Sequence, residues 1–217
     1  FVYSDELKQR AMAEHATSEQ LLNAIENHKL YMLYQPKVST HSKRVTGYEA
    51  LVRMQGSGVG PACFIPVAEK NGWVWRIGRL TTEMVVKQLG LWRRAGLEPP
   101  PVSINYNCRQ LSDSEYVTFL EDQLKYYDVP NHLVEIEVTE NVFLDKSSHA
   151  DLLLEKFYNA GIRLVLDDFG IGYSAFGHLS DIPIDVLKLD RSLVRYYLSE
   201  QNHKEGMIGN LIDLAHD

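Results

Sequence analysis

Between residues 30 and 190, short apolar runs alternate with longer stretches of helical periodicity, and this alternation limits the possible folds more than any other feature of the chain. Strands are expected near 30–38, 44–53, 101–106, 133–138, 162–167 and 185–189. Helices are expected near 19–27, 62–70, 74–95, 113–126, 148–159 and 204–215, with a short helical piece after the glycine loop that follows Asp168. The longest helix carries Ile77, Leu80, Met84, Val85, Leu89 and Trp92 on one stripe, and Gly96 supplies its stop. Such repeats build a parallel sheet, either open or closed. Barrel sites draw residues from the ends of many strands, whereas open sheets gather ligands at one switch point. At least five strands here end near acidic or other polar residues, so a TIM-like (β/α) barrel is expected. A closed barrel needs eight strands and about 250 residues, so the chain is expected to stop about two strand-helix units short.

The most pointed of these strand ends is Asp167-Asp168, which closes the run Arg163-Leu164-Val165-Leu166 and leads into Phe169-Gly170-Ile171-Gly172-Tyr173. Two carboxylates held about 4 Å apart repel by roughly 4 kcal/mol at an effective dielectric near 20 unless a cation or proton lies between them. A divalent metal resolves that conflict. Glu49, Asn105 and Glu137 also fall at or near strand ends. Each has a plainer reading alone: Glu137 as the wet face of Val134-Glu135-Ile136-Glu137-Val138, Asn105 as a turn residue, Glu49 as a surface partner of Arg53. Lys188, inside Val186-Leu187-Lys188-Leu189, could equally be a snorkelling structural lysine. Independent accidents would not each fall near the same end of a different strand. Glu49, Asn105, Glu137, Asp167 and Asp168 form an oxygen donor set, which selects Mg²⁺ or Mn²⁺ over zinc or copper. No histidine pair has HxH or HExxH spacing, and His149 and His178 read as surface or packing residues. Two hard cations bridged by a carboxylate are a recurring device for phosphodiester hydrolysis. In such a site Lys188 could hold the attacking water and Arg53 could grip a phosphate in bidentate fashion.

Composition narrows the partners. Lys and Arg number 22 against 29 Asp and Glu, a net charge of −7, which argues against DNA or broad adhesion to anionic surfaces. Cys63 and Cys108 show no metal or disulfide spacing and fit a reducing, cytoplasmic setting. No stretch is long and apolar enough to insert in a membrane. The chain opens on Phe1 rather than methionine, so it is expected to be part of a longer protein. Residues 1–17 are expected to be a linker from an upstream domain, with Thr17-Ser18-Glu19-Gln20 as a capping box opening the domain of residues 18–217.

Over about residues 20–217 the motifs, in order, resemble the EAL-domain cyclic-di-GMP phosphodiesterases of bacterial signalling. They are Tyr34-Gln35-Pro36, Gly47-Tyr48-Glu49-Ala50-Leu51-Val52-Arg53, Phe64-Ile65-Pro66-Val67-Ala68-Glu69, Ser103-Ile104-Asn105, Glu137-Val138-Thr139-Glu140, Asp167-Asp168-Phe169-Gly170 and Leu187-Lys188-Leu189-Asp190-Arg191-Ser192. The resemblance implies a barrel with one strand reversed. It implies metal ligands at Glu49, Asn105, Glu137, Asp167 and Asp168, and Lys188 positioning the catalytic water. It also implies that Gln35 and Arg53 contact the dinucleotide and that Glu140 braces the loop after Asp168. The implied reaction is hydrolysis of cyclic di-GMP to linear pGpG with Mg²⁺ or Mn²⁺, in a homodimer controlled by an upstream sensory or GGDEF-type domain. A catalytically inactive cyclic-di-GMP receptor is the alternative.

Three departures stand out. The family's AEGVE and QGY motifs do not appear before Asp217, so the chain as written is expected to lack part of the catalytic set. Ile171 stands where the family has a small or hydroxyl residue, and residues 54–60 are shorter and richer in glycine than usual.

Overall fold

A computed structural model describes residues 5–144, 148–170, 183–197, 209 and 212–213. They fall into two compact units, residues 1–104 and 105–217.

The first unit begins with α1 (Asp5–Glu26), which runs straight through the sequence's capping signal at Thr17. The physical reason is propensity: residues 5–16 are dominated by Ala, Glu, Leu, Lys, Gln, Arg and Met, and Asp5 and Glu6 offset the helix dipole in the first turn. Only the last turns are amphipathic, burying Leu21, Ala24 and Ile25 at the i, i+3, i+4 spacing of one helix face. Strand β1 (Leu30–Val38) pairs antiparallel with β2 (Val45–Met54) along its whole length. Helices α2 (Pro61–Lys70) and α3 (Val74–Arg94) follow, and β3 (Val102–Asn105) returns parallel to β2, with Tyr48, Glu49 and Ala50 opposite Val102, Ser103 and Ile104. Leu21, Ile25, Leu30, Met54, Phe64, Ala68, Val74 and Ile77 form one apolar cluster. Each large aliphatic side chain in it contributes roughly 1.5–3 kcal/mol by leaving water.

The second unit contains α4 (Tyr116–Tyr127), β4 (Val134–Thr139), α5 (Ser148–Asn159), β5 (Arg163–Phe169), β6 (Val186–Leu189) and α6 (Arg191–Tyr197). A 3-10 turn, Cys108–Ser112, precedes α4 and is closed by a reciprocal capping box between Asn107 and Gln110. The three strands are parallel in the order β4, β5, β6. Strand β4 is buried on both faces up to Thr139, as befits a parallel strand covered by helices. Its apolar face, Val134, Ile136 and Val138, joins Leu164, Leu166, Leu120, Leu154 and Phe157 in the core. Tyr106, Tyr116 and Phe157 pack edge-on or tilted at centroid distances of 4.8–6.0 Å. No helix among the described residues is long and apolar enough to cross a membrane. The short helical piece expected after the glycine loop and most of the helix expected at 204–215 lie outside the described residues, as do Ile171, His178 and the side chain of His149.

Candidate active site

In the first unit, pairing register decides which candidates share a face. Residues directly opposite in a ladder point to the same side, and Gln35 lies opposite Glu49 while Tyr31 lies opposite Arg53. On the other side of β2, Glu49 lies opposite the buried Ser103. One face of this unit therefore carries Gln35, Glu49, Arg53 and Ser103. Gln35 is exposed and Glu49 is half-buried. The surface pair between Glu49 and Arg53 considered from their spacing is not formed: the Arg53 guanidinium donates instead through Nη1 to the Val52 carbonyl at 2.9 Å.

In the second unit, Glu137 lies opposite Val165, and Thr139 lies opposite Asp167. Glu137 and Asp167 thus share a face, and Lys188 reaches both. Its Nζ donates to Glu137 Oε2 at 2.9 Å and lies 3.1 Å from Asp167 Oδ2. The Glu137 side chain is fully buried, whereas Asp167 and Lys188 keep 21% and 27% of theirs exposed. Neither the wet-face reading of Glu137 nor the snorkelling reading of Lys188 survives this geometry. A buried carboxylate is retained because a cation sits on it. Asn105 is exposed at the end of β3, and the next N–H, of Tyr106, donates to the Glu137 carbonyl at 2.8 Å. That bond sets Asn105 beside β4.

The Asp167-Asp168 pair sits on an irregularity. Leu166 pairs with Leu187 and Phe169 with Leu189, so two aspartates oppose the single residue Lys188. Asp168 takes the left-handed backbone, at φ 56°, which aspartate tolerates better than most side chains. A bulge of this kind breaks the alternation of a strand and re-aims a side chain. Here it places the two aspartates together against Lys188 in the ladder. Glu140, in the turn after β4, accepts the Gly170 N–H at 2.6 Å. A Cβ on Gly170 would lie 2.6 Å from Leu193 Cδ2, and its φ of 101° is one that L side chains rarely adopt, so only glycine fits this turn. Downstream, Asp190 caps α6 by accepting the Ser192 N–H at 2.6 Å and the Ser192 hydroxyl, and these bonds hold its carboxyl below the usual range.

Among the described residues, no three Asp, Glu, His or Cys side chains gather into a metal-binding group. The donor chemistry nevertheless suits a hard cation. Glu137 and Asp167 already converge on one positive charge in the second unit, and carboxylate and amide oxygens are the donors Mg²⁺ and Mn²⁺ take. Sequence reasoning missed Lys37, whose Nζ donates to Ser103 Oγ. The only available signal was its two-residue spacing from Gln35 on the same strand.

A sequence profile of the EAL domain matches residues 18–217. The signaling protein YkoW of Bacillus subtilis is 35% identical over 201 residues, covering 90% of this chain and 25% of the relative. The cyclic di-GMP phosphodiesterase PdeR of Escherichia coli K12 is 34% identical over 197 residues, covering 89% of this chain and 30% of that protein. The chain thus spans about a quarter to a third of the length of these curated relatives. The structure of the EAL enzyme Bd1971 bound to cAMP and cyclic di-GMP superposes with a TM-score of 0.85 at 31% identity, over 95% of this chain and 57% of that one. These likenesses make the fold a TIM-like α/β fold of the EAL type, and the chain belongs to the EAL domain family.

Proposed function

We propose that the chain is the phosphodiesterase part of its protein and hydrolyses one phosphodiester of cyclic di-GMP to linear pGpG. The observation that carries this reading is Lys188 held between the buried Glu137 and Asp167 beside the bulged Asp168. A structural lysine on a strand needs one partner; this one is fixed by two, on the face where the carboxylates gather. The name of PdeR supports the choice of substrate.

Glu49, Asn105, Glu137, Asp167 and Asp168 are the residues that would hold Mg²⁺ or Mn²⁺. Such ions would supply a lowered pKa for bound water and positive charge for the phosphoryl oxygens. Lys188, fixed through Nζ, orients the attacking water and offers positive charge to the phosphoryl group. Gln35 and Arg53 share a face and bind the dinucleotide, Arg53 through a phosphate. Glu140 holds the DDFG turn by its bond to Gly170. The net charge of −7 does not oppose an anionic substrate, since cations and Arg53 supply local positive charge. A homodimer in the cytoplasm, governed by an upstream sensory or GGDEF-type domain, completes the proposal.

Calorimetric titration of cyclic di-GMP into the full-length protein tests the substrate and metal roles in this reading. Binding should weaken at least tenfold with EDTA and at least tenfold in Arg53→Ala. Affinity indifferent to both changes would overturn the reading.

A further inference from the structure

We infer that Lys37 is a positioning residue for Glu49, acting through a clasp that runs from β1 over Gly47 to Ser103 on β3. The inference rests on the functional reading above, which gives the placement of Glu49 its purpose.

Glu49 stands on the middle of three paired strands, with Gln35 opposite it on β1 and Ser103 opposite it on β3. Its position therefore depends on how the two outer strands are held. Lys37 lies two residues beyond Gln35 on the same face, opposite Gly47, which lies two residues before Glu49. The ladder slips just here: Lys37 pairs with Gly47 but Val38 with Val45, leaving Thr46 as the extra residue. The Thr46 hydroxyl donates to the Lys37 carbonyl at 3.4 Å. Bulges re-aim side chains, and this one is accompanied by a lysine that turns inward.

Gly47 makes the path possible. A Cβ there would lie 3.6 Å from Lys37 Cδ and 3.9 Å from Cε, so the lysine stem crosses the strand where the glycine has no side chain. The same Cβ would lie 3.2 Å from the Pro101 carbonyl oxygen, which is itself pinned by the Tyr48 N–H at 2.9 Å. Beyond the glycine, Lys37 Nζ donates to Ser103 Oγ, on a residue with no exposed surface. One side chain thus ties β1 to β3 across β2, from the layer next to Glu49 to the residue opposite it. A fold needing only a filled space would not set the ammonium of the half-buried Lys37 against a fully buried hydroxyl, because it gives up part of its hydration there. Lys37 sets the spacing of the strands that flank Glu49 and brings its ammonium to Ser103, the residue opposite Glu49.

The test uses the full-length protein, Mn²⁺ titration by calorimetry and the electron paramagnetic resonance spectrum of bound Mn²⁺. Lys37→Met and Ser103→Ala should each weaken Mn²⁺ binding at least fivefold and change the spectrum. The double variant should bind about as poorly as the worse single one, since both break one clasp. Val85→Ala, a buried change on α3 that also lowers urea stability, should leave affinity and spectrum as in the wild type. Wild-type affinity in both Lys37→Met and Ser103→Ala overturns the positioning role, as does an equal loss in Val85→Ala. Should Glu49→Ala bind Mn²⁺ as the wild type does, the functional reading itself fails and takes this role with it.

Discussion

Replacing Lys188 by methionine removes the cation from between two carboxylates and keeps most of the stem. The contacts of 2.9 and 3.1 Å place Glu137 Oε2 and Asp167 Oδ2 no more than about 6 Å apart. At an effective dielectric near 20, two bare carboxylates at about 6 Å repel by about 3 kcal/mol, and each lost attraction to the ammonium is about 5–6 kcal/mol. Against this, the ammonium no longer has to be desolvated, which returns several kcal/mol. Partial exposure of Lys188 and Asp167 screens their share. Breaking a buried pair by removing one partner typically costs about 3–5 kcal/mol, and screening brings the expectation for Lys188→Met to about 2–4 kcal/mol. Urea unfolding followed by circular dichroism measures it as a lower midpoint at unchanged slope. Adding Glu137→Gln to Lys188→Met should recover part of the loss, because one of the two repelling charges is gone. A loss under about 0.5 kcal/mol, or a double variant less stable than the single, would refute the reasoning that Lys188 holds these two acids in place.

Other outcomes follow from the same geometry. At Asp168 the left-handed backbone separates shape from charge: Asp168→Asn should keep the fold and lose turnover, while Asp168→Val should cost about 1–2 kcal/mol more in urea unfolding. Gly170→Ala should destabilise by at least about 1 kcal/mol in the same assay, since it adds left-handed strain and an overlap with Leu193. Burial against Trp92 pushes the Tyr34 hydroxyl up to about 12 from 10.0. A raised folded pKa means its contribution is full below pH 10 and lost as the pH climbs towards 12, so alkaline unfolding monitored by fluorescence should retreat to higher pH in Tyr34→Phe.

The alternating pattern placed the strands well because each β-strand shows its own hydrophobic run, as in Val134–Thr139 and Arg163–Phe169. It misplaced the start of α1, because a capping box marks a helix start only where the preceding residues resist helix, and residues 5–16 favour it. It missed α6 because seven residues give too few turns for a periodic signal. The candidate acids were legible one by one, but their grouping was not. Whether Glu137 faced water or a lysine depended on the register between β4, β5 and β6, a long-range quantity that no local pattern contains. The bulge that lets two aspartates oppose Lys188, and the lysine stem lying across Gly47, are likewise relations between strands.

The most direct measurement is chromatographic analysis of cyclic di-GMP incubated with Mn²⁺ and the full-length protein, beside a Glu49→Ala control. Conversion to linear pGpG, abolished by EDTA and in the control, is the predicted result. Intact cyclic di-GMP that nevertheless binds would contradict the account and make the protein a receptor.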